Sequence, residues 1–113
     1  MKLIVAYIQP DAFHSVKQAL TEVGVGRMSV TSAQGVGQQG GYTETYRGAE
    51  FEIQLRKKLR LEIAVNDDYL ERTREAIIEG ARTGNFGDGV IFVTELLECY
   101  RIRTGESGSP AVG

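Results

Sequence analysis

The chain opens with an almost continuous apolar run from Leu3 to Ile8, which Pro10 closes. Such a run is typical of a strand in the middle of a sheet with both faces covered. One strand cannot bury its own two faces, so the remaining sequence has to supply further strands and the layers that cover them. This first segment therefore favours a layered fold built around a central sheet.

Two segments have the spacing of amphipathic helices. The first is predicted to begin at an N-cap, Asp11, and to stop at Gly24 and Gly26. Its apolar stripe consists of Phe13, Val16, Leu20 and Val23. The second is predicted to be capped within Asn66–Asp68 and to run to about Ala81. Its inward positions are Leu70, Thr73, Ile77 and Ala81. Both stripes recur every three or four residues, as expected of helices that cover a sheet.

Three further segments have strand character. Residues 28–36 are rich in Val, Ser and Thr, Leu59 to Val65 alternate apolar and polar residues, and Val90 to Thr94 form the last apolar run. The order strand, helix, strand, strand, helix, strand predicts an α+β fold of the ferredoxin-like βαββαβ type, as one domain over residues 1–113. Helices would cover one face of this sheet. The other face still carries apolar residues, which a homotrimer with its sheets facing inward would bury.

The connection between the second and third strands is long. Residues 37–55 show no sustained period and are heavy in glycine, although their tyrosines and charges are individually placed. A long irregular segment in a small domain is usually functional or disordered. The sequence therefore predicts that residues 37–55 form an effector loop.

Composition excludes several classes of protein. The net charge of −2 does not favour a nucleic-acid binder, and no apolar run is long enough to cross a bilayer. The single cysteine, Cys99, cannot form an internal disulfide, which fits a cytoplasmic location, and it is interpreted as a small buried side chain. The single histidine, His14, is predicted to be a surface residue.

Two later segments are candidates for anion binding. Residues 82–90 form a glycine-rich helix-to-strand turn, in which backbone N–H groups could approach a phosphate closely. Arg101 and Arg103 are predicted to alternate on an extended segment and to point the same way, before a flexible end that contains Ser107 to Pro110. Lys58, taken alone, is an ordinary strand lysine.

Three motifs, in order and without gaps, resemble the PII signal-transduction family over essentially the whole chain. They are Tyr46–Phe51, Ala81–Gly84 with Gly87–Gly89, and Arg101–Glu106. The resemblance implies a homotrimer of ferredoxin-like subunits that has no prosthetic group and binds ATP, ADP or AMP in the clefts between subunits. The nucleotide-binding positions carried over are Ser29, Gly35, Gly37, Gln38, Gln39, Ala64, Gly87, Asp88, Gly89, Arg101 and Arg103.

The resemblance also implies a second ligand, 2-oxoglutarate, held by a Mg²⁺ ion shared with ATP. The effector-binding positions would be Gly37, Gln39 and Lys58, with Gln39 as the metal ligand. The loop would contact partners such as an ammonium channel or an enzyme of nitrogen metabolism through Tyr42, Tyr46, Arg47 and Phe51. The protein would then meet the membrane only through such a channel and would not insert into it.

Several positions depart from the family pattern. Val90, Gln38, Gly40 and Gln9 stand where a basic residue is common. Because a charge-assisted contact to phosphate contributes roughly 1.5–3 kcal/mol, these replacements predict weakened discrimination in favour of ATP. Phe51 replaces the tyrosine that relatives modify with a nucleotide, and Ala49 cannot be phosphorylated. Asn85 does not match the acidic residue used toward the arginine-pathway kinase.

Three other functions stay open at this stage. A divergent PII-like regulator of inorganic-carbon handling or other transport would respond to ADP or AMP. An enzyme on the same fold would need a nucleophile–base pair, and the sequence offers none. An RNA-binding module would need exposed aromatic residues on its central strands and a basic surface. The motifs favour a sensor over the enzyme and the RNA-binding module.

Overall fold

A computed structural model of the chain describes residues 1–36, 44–46, 49–51 and 54–113, with side chains described for 1–36 and 54–113. Six strands and three α-helices follow one another along these residues. They are β1 (Lys2–Ile8), α1 (Phe13–Glu22), β2 (Ser29–Gly35), β3 (Glu44–Tyr46), β4 (Ala49–Phe51), β5 (Arg56–Val65), α2 (Leu70–Ala81), β6 (Gly89–Glu95) and α3 (Ser109–Val112).

Four strands form one antiparallel sheet in the order β2–β5–β1–β6. The first strand lies next to the third and fourth long strands, so each β–α–β unit crosses over a neighbouring strand, as the ferredoxin-like arrangement requires. The predicted ferredoxin-like fold is confirmed. None of the described helices is long and apolar enough to span a membrane.

The core lies between this sheet and the pair α1 and α2. Alternate residues of β1 and β5 point into it, and Val16 and Leu20 from α1 are fully buried against them, as the stripe predicted. The buried strand residues are Ile4, Ala6, Ile8, Leu61, Ile63 and Val65. The helices approach each other closely, because a Cβ on Gly80 would lie 2.6 Å from the Cα of Val16. Burial of each large aliphatic side chain contributes about 1.5–3 kcal/mol, so this interface is the main source of stability.

The opposite face of the sheet is also apolar near β1 and β6. Val5 is paired with Phe92, and Tyr7 with Val90. Phe92 remains 53% exposed and Val90 47% exposed, with the Tyr7 and Phe92 rings in edge-to-face contact. This is the surface that the trimer prediction concerns.

The predicted cap Asp11 is wrong, and Asn66 stands at the N-cap position of the turn before α2 without a side-chain cap bond. Short 3₁₀ turns, Pro10–Ala12 and Asp67–Tyr69, precede the two helices, and no side-chain cap bond forms at either start. Ala12 N–H donates to the Gln9 carbonyl at 3.0 Å, and Tyr69 N–H to the Asn66 carbonyl at 2.9 Å. These backbone bonds take up donors that a capping side chain would otherwise have satisfied.

The effector loop is less irregular than predicted. β3 and β4 lie within it and pair as an antiparallel hairpin, with Glu44 opposite Phe51 and Tyr46 opposite Ala49. Thr, Tyr and Phe favour such strands, but their run is too short to show a period in the sequence. Residues 37–43, 47–48 and 52–53 lie outside the described part of the chain.

The C-terminal end is ordered, contrary to prediction. Tyr100 and Ser107 form an isolated β-bridge, α3 follows, and Ala111 is buried at 9% exposure. The extended segment predicted for Arg101 and Arg103 is also wrong, because residues 102–104 form a turn closed by a 2.7 Å bond from Gly105 N–H to the Arg101 carbonyl. Gly105 has a φ of +72°, a conformation that glycine adopts without strain and that the turn requires.

Candidate functional site

The glycine-rich turn between α2 and β6 is organised by one carboxylate. Asp88 accepts hydrogen bonds from the backbone N–H groups of Thr83 at 2.7 Å and Gly84 at 2.8 Å, and from the Thr83 hydroxyl. The bonds from Thr83, first its hydroxyl and then its N–H, hold the pKa of Asp88 below its ordinary value. Asp88 therefore shapes the turn from within. Its contact with a ligand stays a prediction.

Gly89 is required by packing on the neighbouring strand. Its φ is +121°, and a Cβ built there would lie 1.8 Å from the Tyr7 carbonyl oxygen. No side chain fits at that distance, so this glycine has a structural explanation that does not depend on any ligand. Gly84 also has a positive φ, of +89°, but a Cβ there would meet no atom within 4 Å.

Three separate segments meet at the carbonyl oxygen of Gly87. The Lys58 ammonium donates to it at 2.6 Å and the Gln9 amide at 2.7 Å. The two donors are neighbours because β1 and β5 pair with Ile8 opposite Leu59. Burial lowers the pKa of Lys58, the charge of Arg56 lowers it further, and Asp88 partly offsets the two. A cation thus lies beside the turn, at one end of the open face, which is the face of the sheet that the helices leave uncovered.

The predicted site residues on the sheet fall at two opposite ends. Gly35 lies beside Lys58, since its added Cβ would be 3.7 Å from the Lys58 Cγ. Ser29 is opposite Glu62, near Ala64 at the far end of β5. Lys58 and Ala64 are six residues apart on one strand, a separation of about 20 Å. The groups at the two ends of β5 are therefore too far apart to contact the same small ligand within one chain.

The two arginines belong to the Ala64 end. Arg101 Nη2 donates to the carbonyls of Ala111 at 3.3 Å and Pro110 at 3.5 Å, and its Nε lies 3.5 Å from the Glu106 carboxylate. Arg103 lies in the turn 102–104 and is exposed. A cavity of about 310 Å³ opens at this end, and its lining includes Arg27, Ala64, Asn66 and Val112.

The predicted site thus divides into two parts. The turn-side half consists of Gly35, Lys58, Gly87, Asp88 and Gly89. The tail-side half consists of Ser29, Ala64, Arg101 and Arg103.

A second cavity, of about 470 Å³, lies between α2 and β6 beside the glycine-rich turn. Its lining is mainly apolar and includes Ile77, Ile91 and Val93, with Arg74 and Arg82 among the charged residues. It is continuous with the turn-side half, because Asp88 and Gly89 also line it.

Several predicted residues cannot be placed. Gly37, Gln38, Gln39, Tyr42 and Arg47 lie outside the described residues. Tyr46 lies in β3 and Phe51 in β4, where only the backbone is described. Elsewhere in the described chain, no three His, Cys, Asp or Glu side chains cluster so as to hold a metal ion. The predicted Mg²⁺ ligand, Gln39, stays a prediction.

Two side chains at the site were not predicted in the roles they have. Gln9 stood out only as a neutral replacement, and its bond to Gly87 depends on a turn far away in sequence. Asn66 was interpreted as a helix cap, but it contacts Ser109 and Gly113 instead. No local signal in the sequence could have found either contact, since both partners are more than 40 residues distant.

Comparison with known proteins agrees with these motifs. The family model for nitrogen regulatory protein P-II matches residues 1–106. The chain is 48% identical over 112 residues to nitrogen regulatory protein P-II of Azospirillum brasilense, covering 99% of this chain and 100% of that protein. Identity is 47% to nitrogen regulatory protein P-II 2 of Methanothermobacter thermautotrophicus, covering 99% and 97%. The chain that folds into this ferredoxin-like sheet belongs to the nitrogen regulatory protein P-II family.

Proposed function

We propose that this protein senses adenine nucleotides in clefts between the subunits of a homotrimer and transmits its ligand state to partners through the effector loop, residues 37–55. Membership of the P-II family makes the chain a signalling regulator and not an enzyme. The nucleotide, the trimer and the partners are the proposed part.

The observation that carries this proposal is the division of the site. The turn-side half and the tail-side half lie about 20 Å apart along β5. A ligand that needs both halves must take them from two copies of the chain. A symmetric ring of subunits provides such a heterologous pairing at every interface. Its sheets would then also cover the apolar open face that includes Val90 and Phe92.

The turn-side half has the donors that phosphate requires. In the part of the chain that the structure describes, the N–H group of Gly87 donates no hydrogen bond. The Lys58 ammonium lies against the same turn. Backbone N–H groups and a cation together form an anion-binding concavity. The tail-side half adds the Arg101 guanidinium, which can bind phosphate with donors that its present contacts leave over.

The proposal for 2-oxoglutarate is narrower. Lys58 would bind one carboxylate, and Gln39 would hold the Mg²⁺ ion that supplies charge neutralisation between effector and ATP. Beside Lys58 stands Gln9, a neutral donor that already shares the Gly87 carbonyl. Of the two side chains that contact Gly87, only Lys58 is a cation, so it alone could form an ion pair with the effector there.

A second candidate is a regulator of another pathway, such as inorganic-carbon handling or transport, that responds to ADP or AMP. Val90 favours it, because this apolar side chain is 47% exposed next to the glycine-rich turn, where the PII resemblance implies a basic residue. Loss of a charge-assisted phosphate contact costs roughly 1.5–3 kcal/mol, which is about tenfold or more in affinity. ADP and AMP lose less, since they lack the terminal phosphate.

The effector loop would signal by ligand state alone. Phe51 has no hydroxyl to accept a nucleotide, so incubation with a uridylyltransferase should leave the mass of the protein unchanged. Tyr42, Tyr46, Arg47 and Phe51 would contact a partner, and Arg47 would contact an ammonium channel. A mass increase of one nucleotide would contradict this.

Calorimetric titration with ATP, ADP and AMP, each with and without 2-oxoglutarate and Mg²⁺, tests the ligands. Tight ATP binding that 2-oxoglutarate enhances supports the first candidate. ADP or AMP binding without that enhancement supports the second. Absence of binding by all three nucleotides contradicts both.

Mixed oligomers test the division of the site. Asp88→Ala opens the glycine-rich turn of one half and Arg101→Ala removes the guanidinium of the other, so neither homotrimer should bind ATP well. Co-refolding the two variants in equal amounts should restore about a quarter of the clefts, if each cleft combines halves of two chains. A mixture that binds no better than its parents would contradict a site shared between copies.

A further inference from the structure

Asn66 joins the end of β5 to the C-terminal helix α3. Its Oδ1 accepts a hydrogen bond from the Ser109 hydroxyl at 2.7 Å. Its Nδ2 donates to the carbonyls of Ser109 at 3.3 Å and Gly113 at 3.4 Å. One side chain directly after the central strand β5 thus contacts both ends of a four-residue helix. A helix this short is not stable alone, so its position depends on such contacts.

Two further contacts fix α3 in the same place. Gly108 N–H donates to the Cys99 carbonyl at 2.8 Å, and Ala111 is buried. The helix is therefore attached on one side to the strand connection at Asn66 and on the other to the segment just before Arg101. Its carbonyl groups consequently have defined positions relative to that arginine.

Those carbonyls hold the guanidinium of Arg101. Nη2 donates to Ala111 and Pro110, while Nε lies beside the Glu106 carboxylate. The Arg101 side chain is held at Nη2 and Nε by these contacts, and with 27% of its surface exposed it is still accessible. A guanidinium has five N–H donors in a fixed plane, and these contacts leave Nη1 for a further acceptor.

We propose that Asn66 is a positioning residue: through α3 it holds the Arg101 guanidinium in place to bind the phosphates of a nucleotide. This inference rests on the proposed function. Ordering a long side chain on binding costs affinity, and an arginine already ordered in the free protein avoids that cost. Without Asn66, α3 loosens and Arg101 must be ordered by the ligand. We expect a loss of about three- to tenfold in ATP affinity.

The neighbouring residue offers a matched control. Asp67 lies next to Asn66 on the same connection, but its carboxylate contacts the amino terminus at 2.8 Å and not α3. Asp67→Ala removes a polar side chain from the same place and leaves the path to Arg101 intact. It should bind ATP as the parent does.

Calorimetric titration of the full chain with ATP compares the parent, Asn66→Ala, Asn66→Asp and Asp67→Ala. Asn66→Asp keeps the acceptor for Ser109 and should recover part of the loss. In an Arg101→Ala background, Asn66→Ala should have no further effect, because the group it positions is gone. With adenosine, which has no phosphate, Asn66→Ala should match the parent.

An equal loss with adenosine, or in the Arg101→Ala background, would overturn the proposal by showing a general structural effect. A gain in affinity would overturn it too, by showing that α3 competes with phosphate for Arg101. NMR relaxation of the Arg101 Nε–Hε group in the free protein gives an independent reading, in which Asn66→Ala should lower the order and Asp67→Ala should not. A parent that binds no adenine nucleotide overturns the proposed function. The NMR order of the Arg101 Nε–Hε group would then still decide whether Asn66 positions Arg101.

Discussion

The turn at residues 82–89 and the C-terminal segment at residues 101–113 both carry proposed phosphate ligands, but they are held in different ways. The turn is closed by hydrogen bonds that the Asp88 carboxylate accepts from backbone N–H groups four and five positions away. The C-terminal segment depends on Asn66, which lies 43 residues from Ser109 in sequence. Short-range bonds reform as soon as the turn itself forms. Long-range bonds exist only while the sheet and the segment stay together.

This difference predicts different local stabilities. Segments with few buried contacts open at lower free energy than the parts that close on themselves or on the core. Ala111 is the one buried side chain of the C-terminal segment, whereas the turn is packed at Gly89 directly against β1. Mutations in the turn should therefore lower the free energy of global unfolding. Mutations in the tail should mainly lower the free energy of local opening.

The largest effect is expected at Gly89. In Gly89→Ala the new Cβ meets the Tyr7 carbonyl oxygen at 1.8 Å, so β1 and β6 must separate or the backbone must change conformation. We expect a loss of about 3 kcal/mol or more in the free energy of unfolding. Urea denaturation followed by circular dichroism measures it.

Gly84 is the control for this position. It also has a positive φ, but its Cβ would meet no atom within 4 Å. Gly84→Ala should cost only the backbone strain, about 1–2 kcal/mol. Equal losses at both positions would show that Gly89 is not anchored by Tyr7, and the contrast between turn and tail would weaken.

The sequence predicted the turn better than the tail because the turn depends on short-range contacts and the tail on long-range ones. Glycines spaced through residues 82–89 are a local signal, and the alternation from Leu59 to Val65 placed the strand beside them. The contacts of Asn66, Gln9 and Arg101 join segments far apart in the chain, which no local pattern encodes. The predicted flexible end was wrong because the composition of Ser107–Pro110 resembles a linker, while Asn66 and the burial of Ala111 stabilise a helix there.

The next effect is a pH dependence at the turn. The folded state holds the pKa of Asp88 below its ordinary value, so the carboxylate stabilises the fold above the ordinary Asp range. That stabilisation is lost as the pH falls through the lowered pKa. Asp88→Asn should therefore be less stable near neutral pH and should lose less stability on acidification, as measured by urea denaturation at a series of pH values.

Asp67 provides the comparison for this measurement. Its pKa is also lowered, chiefly by its hydrogen bond to the amino terminus. Asp67→Asn should flatten the acid profile too, but only Asp88→Asn should speed hydrogen exchange at the amides of Thr83 and Gly84. Unchanged exchange at those amides in Asp88→Asn would show that the carboxylate does not hold the turn.

A smaller and local effect is expected at the tail. Asn66→Ala removes the hydrogen bonds to Ser109 and Gly113, at a net cost of roughly 1 kcal/mol. Hydrogen exchange at the amides of Gly108 and Ala111 should become faster, while exchange in the turn and the urea midpoint change little. A shift of the urea midpoint as large as that of Gly84→Ala would show that the tail is part of the global fold.

The smallest single effects are expected at the Gly87 carbonyl, where two donors share one acceptor. Gln9→Ala or Lys58→Met alone leaves the other donor in place, so each should change the free energy of unfolding by only about 0.5 kcal/mol. The double variant leaves the carbonyl without either side-chain donor and should cost more than the sum, with a coupling of at least about 0.5 kcal/mol. Strict additivity in urea denaturation would mean that the two donors act independently. The position of the turn would then depend on Asp88 and Gly89 alone. Lys58 could in that case bind a ligand without changing the position of the turn.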